Sequence, residues 1–282
     1  MTSHSKTNRV RRCRPLLGTF VELSATGLEA TSLARAVGAA FGRIEKVQRL
    51  MSVHDPESEL SRVNAEAFFR PVRVSAETFE VLQRGLELAC DSAGAFDFTV
   101  APLLARWGLL PASLRRHGPG DWGDIQLLAR RRVRFTKPLA IDLGGIAKGF
   151  AVDAAIETLR DADVSSALVN AGGDLRVFGS PAAAINLRHP IHRDLLPRTM
   201  RLGDAALATS SPCFTECRWQ RLPVSHLVNP LQQRAVTGGI SVTVRASECW
   251  LADALTKVVL NDPALAECLL TKHGAEAFVF TA

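Results

Sequence analysis

Three groups of residues in this chain carry side chains able to do chemistry. The first is the segment 141–149, Ile-Asp-Leu-Gly-Gly-Ile-Ala-Lys-Gly. It sets a carboxylate, Asp142, at the end of an apolar run, then Gly144 and Gly145, then Lys148 where a helix begins. Adjacent glycines let backbone turn sharply and approach a ligand closely, having no Cβ. N–H groups at a helix start attract anions, and Lys148 adds a full positive charge there. The pattern suits a phosphate or pyrophosphate, although a tight strand-to-helix turn with a solvated lysine would read the same way. It is neither a Walker A loop nor the G-x-G-x-x-G fingerprint, since the glycine spacing fits neither. The second group is Asp253 with Thr256 and Lys257, three and four residues on along one helix face. A carboxylate and a hydroxyl at that spacing could both reach a hard, oxygen-preferring cation such as Mg²⁺; the plainer alternative is an Asp253–Lys257 ion pair. The third is His226, whose imidazole can serve as a base or a hydrogen-bond donor.

The elements that position these residues follow from periodicity. Apolar residues at helical spacing predict helices over 28–50, 75–92 (Ser75 as N-cap), 147–160 and 247–260 (started by Ser247), with shorter ones over 99–107 and from Pro263 to His273. Strands are expected at 19–24, 133–135, 139–143, 167–170, 176–178, 184–187, 241–244 and 277–280. Residues 139–170 then read as a β-α-β unit ending in a second glycine turn at Gly172-Gly173, where Asp174 is taken as a turn carboxylate. Residues 111–124, rich in Pro, Gly and Arg, are expected to be a flexible insertion, and 190–197 a loop. Helices and strands mix without strict alternation, which gives an α+β class. Residues 1–14 are read as a flexible N-terminal tail and 15–282 as a single domain.

Composition narrows the possible classes. With 47% hydrophobic and 22% charged residues in 282, the chain is an ordinary globular protein rather than a disordered or fibrous one. No apolar run approaches the ~20 residues that span a bilayer. Residues 1–14 are polar and basic without the apolar core of a secretion signal, so a cytoplasmic location is expected. Six scattered cysteines show no framework spacing and are read as free thiols. The net charge of +6 invites a nucleic-acid reading. The basic clusters at 9–14 and 130–134 are short and lack interleaved aromatics, so a cleft for an anionic small molecule is preferred and no nucleic-acid partner is expected.

Seven separated patches, in order, resemble the ApbE family of flavin transferases. They are Leu17-Gly18-Thr19; Met51-Ser52-Val53-His54 with 58–64; 94–104 running to Trp107-Gly108; 142–149 with Asp153; Asn170-Ala171-Gly172-Gly173-Asp174; Thr209-Ser210 with His226-Leu227-Val228-Asn229-Pro230; and Ala252-Asp253-Ala254-Leu255. Any one is weak and the ordered set is specific. The resemblance implies a mixed-sheet, T-fold-related architecture with helices packed on the sheets. It implies transfer of FMN from FAD to a Thr or Ser hydroxyl of an acceptor flavoprotein with release of AMP, dependent on Mg²⁺. Alternatives are FAD hydrolysis by the same site, or FAD binding without catalysis.

Residue by residue, the resemblance implies flavin contacts at Leu17, His54, Ala95, Phe96, Asp97, Asp142, Lys148, His226 and Leu227, and catalytic roles for His226 and Asp253. It implies a metal site at Asp253, the Gly145 carbonyl and a threonine four residues after the aspartate. That last position holds Lys257, which cannot ligate a metal while protonated; Thr256, one residue earlier, is the substitute considered. Four further departures are Leu17 for methionine, His54 where a tyrosine is common, Asn229 for aspartate and Ser211 for glycine. Members of the family are often exported and lipid-anchored, and this chain lacks that pattern.

Overall fold

The computed structural model describes residues 8–187, 189–190 and 198–282. Seven strands form one sheet: Arg9–Leu16, Thr19–Thr26, Ser166–Ala171, Asp174–Phe178, Ala205–Ser210, Ile240–Ala246 and Glu276–Thr281. Their order across the sheet is their order along the chain, and every pairing is antiparallel. The α+β class therefore holds, while the main sheet is antiparallel rather than mixed.

Three helices cover one face of the sheet: α1 (Ala30–Met51), α5 (Ala147–Asp161) and α6 (Cys249–Asn261). The period-2 rule assigns the faces. Val21, Leu23 and Ala25 point into the large core with Phe178, Ala206, Ala208, Val242 and Val244. Leu175, Val177, Ala205 and Leu207 point the other way, into a smaller core under the hairpin Ala183–Leu187 and Arg198–Leu202. The strand Asp174–Phe178 is thus buried on both sides. Helices α2 (Glu59–Glu66), α3 (Ala76–Asp91) and α4 (Ala101–Arg106) complete the lobe inserted between the second and third strands, and α7 (Pro263–Lys272) leads into the last strand.

Several expectations need correction. Residues 9–14 are not a tail: Arg9–Leu16 pairs residue for residue with Thr19–Thr26 through a turn at Leu17 (φ 55°) and Gly18 (φ 70°). Two consecutive positive φ values are the mark of a hairpin turn whose twist matches its strands. Residues 139–143 form no strand and join no sheet. The side chain of Asn64 stands in for a neighbouring strand, accepting from Ile141 N–H at 2.8 Å and donating to Ile141 C=O at 2.9 Å, and Asp142 N–H donates to Phe98 C=O. The β-α-β unit is consequently absent. Residues 111–124 are ordered by two 3₁₀ turns, Ala112–Arg116 and Trp122–Asp124, the second closed by a capping box between Asp121 and Asp124. Helix α6 starts at Cys249, after Glu248, rather than at Ser247. Ser75 does cap α3, accepting from Thr78 N–H. The loop expected at 190–197 lies almost wholly outside the described residues.

Candidate active site

The starts of α5 and α6 lock together by exchanging carboxylates. Asp153, on α5, accepts from the first two N–H groups of α6, Cys249 at 2.9 Å and Trp250 at 2.8 Å. Asp253, on α6, accepts from Gly149 N–H in the first turn of α5 at 3.3 Å. Each helix therefore supplies the negative charge that the other's N-terminus attracts. The close approach depends on Gly149, because a Cβ there would fall 2.3 Å from Cys249 O. Arg176 completes the assembly with a 2.9 Å ion pair to Asp153. Burial pushes the Asp153 carboxyl up to about 6, against the pull of the two N–H groups and Arg176.

Two lysines lie on the cavity side of this crossing. Lys148 Nζ pairs with Asp174 and lies 3.9 Å from Asp253 Oδ2. Lys257 Nζ pairs with Asp253 Oδ1 and donates to Asp253 C=O at 2.9 Å. Both carboxylates are almost fully buried, whereas both lysines line the cavity. Burial pushes the Asp253 carboxyl up, but the two ammoniums and the Gly149 N–H outweigh it and hold it below its ordinary value. Burial pushes Lys148 down, and Asp253 opposes that. Asp174 is not the turn carboxylate expected: it accepts from Thr209 N–H at 3.4 Å and serves as the buried counterion of Lys148.

The cavity encloses about 720 Å³, within the usual range for ligand sites. Leu17, His54, Ala95, Phe96, Asp97, Asp142, Gly145, Lys148, His226 and Leu227 all reach its wall. They come from five separate segments, drawn together by specific bonds. Gln48 on α1 accepts from Leu17 N–H, and Asn261 at the end of α6 donates to both Ala95 C=O and Val228 C=O. Asp97 accepts from Thr99 N–H at 2.8 Å and Trp122 N–H at 3.1 Å, while burial pushes its carboxyl up to about 6. Asp142 is raised by burial too, opposed by Gly144 N–H and by the imidazoles of His54 and His226. Since Gly144 N–H donates to Asp142 at 3.2 Å, that amide is already committed within the turn.

Asp253 and Thr256 do not reach the wall. The Thr256 hydroxyl is fully buried, donating to Asp253 C=O at 2.6 Å and lying 2.7 Å from Ser210 Oγ. The donor set expected for Mg²⁺ therefore does not fit one. Both oxygens of Asp253 carry ammonium or amide partners, and Thr256 faces away. Among the described residues no cluster of three or more His, Cys, Asp and Glu could hold a metal. Ser211, where a glycine was the family expectation, is extended (φ −147°) and donates to Ile240 C=O, so no glycine is required. Asn229 Oδ1 accepts from Gln232 N–H and caps the turn after Pro230.

The ApbE family model matches residues 17–279. The chain belongs to the ApbE family. An FAD:protein FMN transferase of Vibrio cholerae is 29% identical over 232 residues, 75% of this chain and 69% of that one. Another, of Rhodobacter capsulatus, is 27% identical over 85% of this chain, which spans only 49% of that longer protein. The fold matches the ApbE protein of Thermotoga maritima with a TM-score of 0.85, at 24% identity over 96% of this chain and 94% of the other. Among the described residues no helix is long and apolar enough to cross a membrane.

Proposed function

We propose that this ApbE-family chain is an FAD:protein FMN transferase, moving FMN from FAD to a Thr or Ser hydroxyl of an acceptor flavoprotein and releasing AMP. The observation that carries the reading is the presence of two lysines and two histidines on the wall of one cavity, in a chain that matches the ApbE family model over residues 17–279 and is similar to named flavin transferases. Lys148 and Lys257 offer positive charge to a diphosphate, and His54 and His226 stand with Asp142 elsewhere on the wall.

Phosphoryl-type transfer is mostly positioning and charge neutralisation. The acceptor oxygen forms a bond to the flavin-side phosphorus. The bond from that phosphorus to the bridging oxygen breaks, and AMP departs with the electron pair. His226, exposed at the cavity wall, takes the proton of the acceptor hydroxyl. The lysines balance charge gathering on the phosphate oxygens. Asp253, expected as a catalytic group, acts in this reading by holding both lysines in place. Leu17, Ala95, Phe96 and Leu227 supply apolar wall, and Asp97 and Asp142 supply acceptors. We place the activity in the cytoplasm on the scattered, framework-free cysteines.

The test is to incubate purified protein with FAD, with and without a flavoprotein acceptor, and to separate the products. AMP release that depends on the acceptor supports transfer. AMP and free FMN in equal amounts without acceptor would make the protein a FAD hydrolase, and bound but unchanged FAD would make it a binder.

A further inference from the structure

The place of Lys257 bears on how this site meets an anionic ligand. Its side chain is 15% exposed and lies on the cavity wall, with its stem against Gly145, where a Cβ would fall 3.4 Å from Lys257 Cε. An ammonium has three N–H donors. Among the described residues, the hydrogen bonds of Lys257 are to Asp253 C=O and Oδ1, which leaves one donor for the cavity. Lys148 is arranged likewise, its ammonium held by Asp174 and Asp253 while its side chain reaches the same cavity. Two ammoniums at the wall thus stand in front of two carboxylates that are 1% and 2% exposed. Asp253 is committed to Lys257, Lys148 and Gly149 N–H at once. A divalent cation on Asp253 would have to displace an ammonium and then sit beside it.

We propose that Lys257, together with Lys148, is the charge that receives the dianionic diphosphate of the dinucleotide, and that ligand binding here needs no divalent metal. The inference rests on the flavin-transferase reading for the identity of the ligand. Asp253 and Asp174 then serve as buried counterions, keeping the ammoniums charged and aimed at the cavity before the ligand arrives. The diphosphate completes the shell of each lysine with charge-assisted hydrogen bonds.

The experiment titrates FAD into wild type by flavin fluorescence, once in EDTA and once in Mg²⁺. It is repeated with Lys257→Met, which keeps the length of the stem and removes the charge. Mn²⁺ binding to wild-type protein is followed separately by electron paramagnetic resonance. Expected results are equal FAD affinity with and without metal, no stoichiometric Mn²⁺ site, and an affinity loss of about 10- to 100-fold in Lys257→Met. FAD binding that requires Mg²⁺, or one tightly bound Mn²⁺ per chain, would overturn the inference; the wild-type measurements decide this even if the variant fails to fold. Unchanged affinity in a folded Lys257→Met would overturn the role of Lys257. No FAD binding under either condition would instead sink the flavin reading, a result distinct from metal-dependent binding.

Discussion

Gly149→Ala probes the crossing of α5 and α6 on which the site is built. The added Cβ would lie 2.3 Å from Cys249 O, 2.5 Å from Cys249 C and 2.6 Å from Trp250 Cα. Ordinary contact begins near 3.4 Å, so the helices must part by about 1 Å, and the obstacle is backbone rather than a side chain that could swing aside. Overpacking of this kind costs about 1–3 kcal/mol. Parting the helices also lengthens, without breaking, the bonds from Cys249 and Trp250 to Asp153 and from Gly149 to Asp253, which forfeits only a part of the about 1.5–3 kcal/mol that a bond to a charged group contributes. Against this stands a helix-propensity gain of about 1 kcal/mol for alanine over glycine. The net expectation is a loss of about 2–5 kcal/mol, or a drop in Tm of roughly 3–9 °C for a chain of this size. Thermal melts followed by circular dichroism measure it, with Gly42→Ala as the control. Gly42 lies in α1 with nothing within 4 Å of its Cβ position, so alanine there should stabilise by up to about 1 kcal/mol. A Gly149→Ala protein that melts at or above the wild-type temperature would refute the account of the crossing.

Other outcomes follow from single contacts. Asn64→Ala orphans both the N–H and the C=O of Ile141, at about 1–3 kcal/mol each, and should lower the urea midpoint by the equivalent of about 2–5 kcal/mol in total. Asn64→Asp, which buries a carboxylate against the Ile141 C=O, should cost at least as much. The Asp97 carboxyl, raised from 3.8 to about 6, makes the folded chain hold a proton that the unfolded chain releases. Its contribution to stability is therefore greatest below 3.8 and lost as pH rises through about 6. Asp97→Asn should flatten that part of the stability–pH profile; a profile identical to wild type between those values would contradict the burial argument.

Much of the architecture was legible because it depends on local pattern. The stripe Leu33, Val37, Ala40, Phe41, Ile44 and Val47 gives α1 almost to its ends, and Ser75 marks the start of α3 by its hydroxyl alone. The cavity wall was legible from motif order, since its residues occupy the matched patches. What escaped the sequence is set by contacts distant along the chain. An apolar run such as 139–143 reads as a strand, but whether a neighbouring strand or the Asn64 side chain takes its backbone bonds cannot be seen from period. Arg9–Leu16 is a basic edge strand with most residues exposed, so it carries no alternation to detect. Ala205–Ser210 lies in the middle of the sheet yet opens Ala-Ala-Leu-Ala, a composition with weak strand preference. The partnership of Lys148 with Asp174, and of Asp253 with Gly149, exists only once α5, α6 and the sheet are assembled. The sequence pattern puts the glycine requirement at the turn of Gly144 and Gly145, whereas the tightest steric demand in this segment falls on Gly149 between the helices.

The most direct test of the proposed transfer is the intact mass of an acceptor flavoprotein after incubation with this protein and FAD. The account predicts a gain of one covalently bound FMN, abolished when the acceptor Thr or Ser is changed to Ala and strongly reduced by His226→Ala in the transferase. An acceptor of unchanged mass, while a known flavin transferase modifies the same preparation, would contradict it.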